Sequence, residues 1–475
     1  MFFGREEELR QLEALWRKPT ASLVTCRGRR RIGKSTLIEE FARRSKATFL
    51  KLEGTAPEPR MSNADQLEDF RGQLARLRHS AVEPLSSWGD AFAALDAAIG
   101  NGRTVVLLDE ISWMGRHDAG FPGELKVAWD NLFKKHPKLI VFLCGSVSTW
   151  ISKNILNNTG FVGRASLNMT LRELSVAECV KFWGAKSKRV ATSEILDVLS
   201  VTGGVPRYLE EVDPSLSANE NIRRLCFLPD SLLRDDFNRT FNVVFGDNAL
   251  AKRNILRQLA ETPLSLSEVC ERLGVERNGG ITSHLDDLTV AGFISKDMGV
   301  NPSTGRAMKI CRYRLCDNYT RFFLKYVEPN GPTIDAGSFM FNALEALPGW
   351  NAILGLQFEN LIINNLPRLL PALGLRNVLL KSAAPYRQTA SGRKKGCQVD
   401  LLLQADRMFY VVEIKRRREI GVEIEAEVEA KVRALALPRG VTVRTALVYD
   451  GRLSPQVPAR GYFDALVSAE ELLKS

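Results

Sequence analysis

The chain has 475 residues, 45% of them hydrophobic, and its 66 Lys and Arg against 55 Asp and Glu give a net charge of +11. That length predicts roughly three domains at ~150 residues each, an ordinary globular composition able to bury several cores. The basic excess favours a polyanionic partner, although many proteins with such a charge bind none. Eight cysteines are scattered without a Cys-x-x-Cys pair and the four histidines stand apart, which argues against a zinc site or a disulfide framework. Apolar runs such as "LIVFLCGSV" (139–147) stop well short of the ~20 residues that span a bilayer, and charge follows Met1 within a few residues, so a cytoplasmic protein is expected.

The first strong local pattern is "SLVTCRGRRRIGKSTLIEEF" (22–41): an apolar strand, Gly28-x4-Gly33-Lys34-Ser35, then a helical repeat. Amides of such a loop and of the helix N-terminus cradle phosphates, Lys34 reaches the β and γ oxygens, and the Ser35 hydroxyl helps to hold Mg2+. Arg29 to Arg31 fill variable positions and read as a solvated or DNA-facing loop surface. "RTVVLLDEISWM" (103–114) is a buried strand ending in Asp109-Glu110, where Asp109 would hold Mg2+ and Glu110 would orient an attacking water; the alternative is a plain acidic strand end. "KLIVFLCGSVSTWI" (138–151) is a further buried strand whose end carries Ser146, placed to sense a γ-phosphate. Arg164 follows in "NTGFVGRASLNMTLRELS" (158–175), and Gly203-Gly204-Val205-Pro206-Arg207 in "VTGGVPRYLEEV" (201–212); singly, each is a common turn.

In this order, and with "FFGREEELRQLEALW" (2–16) ahead of them, these segments resemble the archaeal-type ATPase family of the AAA+ and STAND P-loop NTPases, over roughly residues 1–330. The resemblance implies ATP with Mg2+ as the nucleotide ligand and an adenine beside the Phe-x-Gly-Arg-Glu box. The implied nucleotide-binding set is Gly4, Arg5, Gly28, Gly33, Lys34, Ser35, Thr36, Asp109, Pro206 and Arg207, with Pro206 supplied by a helical lid. It also implies that Ser146 is a sensor, that Glu110 is catalytic, and that Arg164 is a candidate arginine finger in a homo-oligomer. Alternatively, Arg164 caps the following strand or pairs with an acid. The expected boundaries are 1–170 for the ATPase core and 171–245 for the lid.

Residues 248–316 read as three helices and a β-wing, a winged-helix pattern within an expected domain 246–330 that includes a connecting helix. Ser267 fits an N-cap and Gly292 a helix stop, and the wing loop carries Arg306 and Lys309. The third helix brings Asp286 and Asp287 and few basic residues, so groove reader and protein-contact module both stand as readings. "VEPNGPTIDAG" (327–337) is rich in turn residues and reads as a linker to a last domain, 331–475.

In that domain "ILGLQFENLIINNL" (353–366) predicts a helix bearing Glu359, "GCQVDLLLQ" (396–404) a strand, "ADRM" a turn and "FYVVEIK" (409–415) the returning strand. If Gln404 pairs with Phe409, Asp400 falls opposite Glu413. Like charges directly opposed across a ladder destabilise it, and a divalent cation between them turns the penalty into a ligand set. Strand alternation keeps Lys415 on the face of Glu413, where an ammonium can assist an attacking water or balance charge on a phosphate. The other two Glu-x-Lys pairs lack this support: Glu124/Lys126 lies at a predicted helix start and Glu429/Lys431 in the helical "EIEAEVEAKVR". The basic runs "KRRR" (415–418) and "SGRKKG" (391–396) read as a solvated face or, given their proximity to the carboxylates, as contacts to a substrate backbone.

Glu359, Asp400, Glu413 and Lys415 together resemble the signature of the PD-(D/E)xK nuclease superfamily, with Val399 where that pattern has Pro. This second resemblance implies Mg2+ or Mn2+, the Ile414 carbonyl as an extra ligand, and hydrolysis of phosphodiesters. The expected fold class is therefore α/β: a P-loop AAA+-like core with a helical lid, a winged helix, and a C-terminal restriction-endonuclease-like domain. The expected function is an ATP-dependent or ATP-regulated DNA-acting enzyme that cleaves DNA with a metal. By analogy alone, defence and mobile-element processing are both compatible settings. The alternative is an ATP-driven STAND-type switch, answering to a protein partner, or a DNA-binding ATPase, either with an inactive nuclease fold.

Overall fold

The computed structural model describes residues 2–474 apart from 57, 59, 147, 303, 305, 307, 309, 310, 341, 342, 391, 393 and 394, and the backbone alone of residue 148. Lys309 of the wing loop and Ser391, Arg393 and Lys394 of the second basic run lie outside the described residues. The chain divides into two compact units, Met1–Arg172 with Val290–Gly292, and Glu173–Thr289 with Phe293–Ser475.

The first unit is built on a five-stranded parallel sheet of β1 (Ser22–Arg27), β2 (Thr48–Glu53), β3 (Thr104–Asp109), β4 (Leu139–Gly145) and β5 (Ala165–Thr170), in the order β2-β3-β4-β1-β5. Burial follows that order. β3 and β4 are buried at every residue, as continuous apolar runs covered on both faces should be, whereas the edge strands β2 and β5 expose residues at intervals. On one face Asn63–Arg78, Trp88–Asp96 and Phe121–Asn131 supply helices that bury Phe70, Trp88, Phe92 and Phe121, with the Trp88 and Phe121 rings 4.8 Å apart edge to face. The consequence for function is positional: β4 stands between β1 and β3, so the ends of all three strands share one sheet edge.

The second unit holds a mixed five-stranded sheet of β8 (Ser382–Gln388), β9 (Cys397–Ala405), β10 (Met408–Ile420), β11 (Thr442–Leu453) and β12 (Ala465–Ser468), in the order β12-β11-β10-β9-β8. β9 pairs antiparallel with both β8 and β10, while β10, β11 and β12 are parallel, with the helix Glu423–Ala434 crossing over from β10 to β11. Earlier in the unit the helices Ala249–Leu259, Leu266–Leu273 and Gly279–Val290 precede an antiparallel pair, β6 (Ile294–Asp297) with β7 (Arg312–Leu315), and Leu264 bridges to Tyr313 as a third short edge. The cap of the second helix is Ser265 rather than Ser267. Its hydroxyl accepts the Glu268 amide while the Glu268 carboxylate accepts the Ser265 amide, a reciprocal box that the Ser-x-x-Glu spacing satisfies two residues earlier.

Residues 327–337 do not behave as a loose linker. Gly331–Asp335 is a short helix with Ile334 fully buried, and Arg234 pairs with Asp335 at 2.7 Å. The flanking segments meet through a buried polar seam in which Gln357 donates to the Asn318 carbonyl at 2.7 Å, Arg321 donates to Gln357 at 2.6 Å, and Arg314 donates to Asn360. Gln357 and Asn360 lie on the helix Trp350–Asn364, which also carries Glu359. A buried polar group keeps its place only when its hydrogen bonds are met, so the seam fixes that helix against residues 314–321.

Candidate functional site

In the first unit the loop between β1 and the helix Lys34–Arg44 is folded tightly onto its own backbone. Gly28 has φ +150°, and a Cβ there would lie 2.5 Å from the Leu171 carbonyl oxygen, so only glycine fits. The buried Lys34 ammonium donates to the carbonyls of Gly28 and Arg29, each at 3.1 Å. Ser35 Oγ donates to Asp109 Oδ2 at 2.5 Å, which joins the helix start to the end of β3, and Lys51 Nζ stands 3.8 Å from the same carboxylate oxygen. Thr36, next in the chain, is exposed.

Glu110 sits at φ +47°, and its carboxylate accepts both the Ser146 amide at 3.0 Å and the Ser146 hydroxyl at 2.8 Å. The serine expected as a sensor thus grips the glutamate expected to orient the attacking water. Gly4 and Arg5 both adopt positive φ, and the buried Arg5 guanidinium donates to the carbonyls of Ile32 at 3.1 Å and Arg172 at 2.7 Å. The N-terminal box is therefore tied to the phosphate loop itself. Arg164 makes a bidentate pair with Asp130, Nε to Oδ1 and Nη2 to Oδ2 both at 2.8 Å, and the Arg164 hydrogen bonds hold the Asp130 carboxyl well below the usual range. That pairing is the local alternative to a finger.

In the second unit Pro206 opens the helix Pro206–Leu209 and Arg207 pairs with Glu211 at 2.6 Å and Glu210 at 3.4 Å. Gly204 is required by close approach, since a Cβ would fall 2.2 Å from the Leu174 carbonyl oxygen.

The C-terminal hairpin has the register the sequence predicts, with Phe409 opposite Gln404 and pairing as far as Val412 opposite Leu401. One step further the ladder stops. Asp400 and Glu413 would be the next pair, and instead the Asp400 carboxylate turns to accept the Ile414 amide at 2.9 Å. Glu413 is fully buried. Lys415 Nζ lies 2.7 Å from Glu413 Oε1 and 3.7 Å from Glu427 Oε2. Burial opposes the Lys415 charge, but Glu413 and Asp400 outweigh it and hold the ammonium above its ordinary range. Glu359 reaches the same place from its helix: burial, then the charge of Asp400 and a hydrogen bond with it, push its carboxyl up to about 8. The four residues expected to act together are thus brought together.

A fifth participant was not expected. Lys431 Nζ stands 2.5 Å from Glu413 Oε2 and 3.8 Å from Asp400 Oδ1. It belongs to the Glu-x-Lys pair that its helical setting seemed to exclude, and its partners are on neighbouring strands. The signal was present in the spacing: Ile424, Val428 and Leu435 are buried, and Lys431 completes the i, i+4, i+7, i+11 face they define.

The basic run beside the site is also corrected in part. Arg416 points into the unit, donating to Asp450 Oδ2 at 2.8 Å and to Asp197 Oδ1 at 2.8 Å on the helix Thr192–Thr202, while Arg417 pairs with Glu427 at 3.3 Å. Arg418 and Lys395 are exposed. Among the described residues no group of three or more His, Cys, Asp or Glu side chains is arranged to hold a metal ion. The donor chemistry nevertheless suits a hard divalent cation, because Asp400, Glu413 and a nearby main-chain carbonyl offer only oxygen. What stands against those oxygens here is lysine.

Among known proteins, an uncharacterized protein of Methanocaldococcus jannaschii is 24% identical over 362 residues, 76% of each chain. A Walker-type ATPase of Pyrococcus abyssi is similar in structure with a TM-score of 0.47 and 17% identity, over 68% of this chain and 96% of its own. The ORC2 protein of Aeropyrum pernix, solved in ADPNP and ADP complexes, gives a TM-score of 0.42 and 14% identity over 70% of this chain and 95% of its own. Among the described residues no helix is long and apolar enough to cross a membrane. Residues 2–212 match the family described as an ATPase domain predominantly from Archaea, and the phosphate loop, the Ser35–Asp109 contact and the Glu110–Ser146 pair all fall inside that match, which supports ATPase activity for this part of the chain.

Proposed function

We propose that this ATPase drives or regulates metal-dependent phosphodiester cleavage of DNA by the second unit. The observation that carries the reading is the meeting of Glu359, Asp400, Glu413 and Lys415 where β9 and β10 part. Asp400, Glu413 and the Ile414 carbonyl would hold Mg2+ or Mn2+, which when bound supplies an activated water and charge stabilisation at the scissile phosphate. Lys415 contributes a second positive charge on the same face, and Glu359 keeps a proton beside Asp400. On the nucleotide side Lys34 exchanges its two carbonyls for phosphate oxygens, Ser35 and Asp109 take Mg2+, Thr36 lies along the phosphates, and Glu110, held by Ser146, orients water. Residues 248–316 are read as a winged helix, Pro206 and Arg207 as lid residues near the nucleotide, and Arg164 as a finger that leaves Asp130 when a neighbouring chain binds, within a homo-oligomer.

One observation favours a second reading, a nucleotide switch with an inactive nuclease fold: both oxygens of Glu413 already face lysines. Incubating the full chain with Mn2+, ATP and supercoiled, linear and single-stranded DNA separates the two. Cleavage that disappears in Asp400→Ala is the expected result. Intact DNA under every metal and nucleotide condition would sink the nuclease reading and leave the switch.

A further inference from the structure

We propose that Lys431 is a tethered counter-cation that occupies the Asp400–Glu413 site and must withdraw before a divalent metal can enter. The inference rests on the metal-dependent reading above and concerns how that site is loaded.

Three observations converge on it. The Lys431 ammonium lies against one oxygen of each acid, Glu413 Oε2 at 2.5 Å and Asp400 Oδ1 at 3.8 Å, the same pair a bridging divalent ion would use. Glu413 is completely buried, so its charge needs a cation at close range whether or not metal is present. Lys415 alone covers only the far oxygen, Oε1, and leans also toward Glu427. Lys431 therefore does what a bound metal would do for this strand end, using a charge that cannot diffuse away.

The same geometry makes the two cations exclusive. A divalent ion coordinated by Glu413 Oε2 would sit within a few ångströms of an ammonium held at 2.5 Å from that oxygen, and like charges at such a distance repel strongly inside a protein. Lys431 has an alternative partner one turn back on its own helix: Glu427 precedes it by four residues, in the acid-before-base order that favours such pairs. Glu427 already collects Lys415 at 3.7 Å and Arg417 at 3.3 Å, so it faces the basic side of the site. Metal loading exchanges Lys431 from Glu413 to Glu427. A monovalent ion offers no more charge than the ammonium it would displace, so the device admits divalent ions selectively.

The test measures Mn2+ binding to the full chain by the loss of the free-ion electron paramagnetic resonance signal and by thermal shift, with no cleavage required. Lys431→Met and Lys431→Gln should bind Mn2+ about tenfold more tightly or better, the minimum expected when a competing charge at this distance is removed. Both should melt lower than wild type without metal and recover more on adding Mn2+. Lys431→Arg, which keeps the charge, should remain as weak as wild type. Adding Asp400→Asn to either neutral variant should abolish the binding. Equal or weaker Mn2+ affinity in a cooperatively folded Lys431→Gln, still dependent on Asp400, would overturn the counter-cation role and leave the metal site standing. No Asp400-dependent binding in any variant would overturn both.

Discussion

In the nucleotide site a buried ammonium, Lys34, rests on two neutral carbonyls five and six residues away, whereas in the C-terminal site a buried carboxylate, Glu413, rests on ammoniums from Lys415 and, eighteen residues on, Lys431. The partners differ in what it takes to remove them. Carbonyl contacts give way readily to phosphate oxygens, which carry full charge and therefore make stronger hydrogen bonds with the same ammonium. Ion pairs around a buried acid do not give way unless a cation of greater charge arrives. On the proposed reading, the first site is poised to load and the second is guarded.

The sharpest way to break the contrast is at Lys34. Lys34→Ala deletes the cation but leaves the loop amides, and ATP affinity should fall on the order of 100-fold, as expected for losing a charge-assisted contact to phosphate. Glu110→Gln should bind ATP normally and fail to turn it over, because the amide still reaches Ser146 but cannot draw a proton from water. Equilibrium binding of a fluorescent ATP analogue beside a steady-state phosphate assay separates the two. Matching affinity in wild type and Lys34→Ala would remove the phosphate-loop assignment.

At the guarded site the contrast predicts a stability effect with no nucleotide present. Glu413→Gln leaves two ammoniums facing a buried amide and should cost about 3 kcal/mol or more, the range seen when one partner of a buried ion pair is removed. Asp400→Asn is the informative companion. Two opposed acids alone predict a gain on neutralising one of them, but Lys431 and the Ile414 amide already satisfy Asp400, so a small loss of about 1 kcal/mol is expected. Urea unfolding of metal-free protein measures both. A clear gain in Asp400→Asn would mean that Lys431 does not neutralise the pair.

The two sites were legible in the sequence to different degrees for the same physical reason. The phosphate loop is contiguous, and a strand, two glycines and Lys34-Ser35 within one short stretch specify its backbone path almost without help from elsewhere. The hairpin register also followed from local chemistry, since alternation and a four-residue turn fix which residues oppose. What sequence could not show was where the ladder ends. Whether Asp400 pairs with Glu413 or turns to the Ile414 amide depends on the divergence of two strands, and Lys431 enters only because the crossover helix packs its buried face on the sheet. Arg416 misleads in the same way: in a run of four basic residues it reads as surface charge, and its partners, Asp197 and Asp450, are remote in sequence. The linker at 327–337 failed as an expectation because turn-rich composition reports local backbone preference and says nothing of a polar seam formed by Gln357 and Asn360.

The smallest effect sharpens the contrast from the first unit. On the helix that follows the phosphate loop, Glu40 accepts Arg43 through Nε and Nη2 at 2.7 Å each and Arg44 Nε at 2.7 Å. The Arg43 hydrogen bonds, with those of Arg44, bring its carboxyl down to about 2 from the ordinary value of 4.5. Because the folded state holds this proton less tightly than the unfolded chain, the contribution is complete above pH 4.5 and is lost as pH falls through about 2. Arg43 is 72% exposed, so solvent screens the pair and the contribution is small, far below what the shift alone would suggest. Glu40→Gln should therefore lower stability slightly at neutral pH, flatten the acid limb of the stability profile, and lose its effect in high salt. Glu413→Gln should respond far less to salt, because the Glu413 carboxylate is fully buried. If the two substitutions respond to salt alike in urea unfolding, the difference between an exposed cluster and a guarded one is not real.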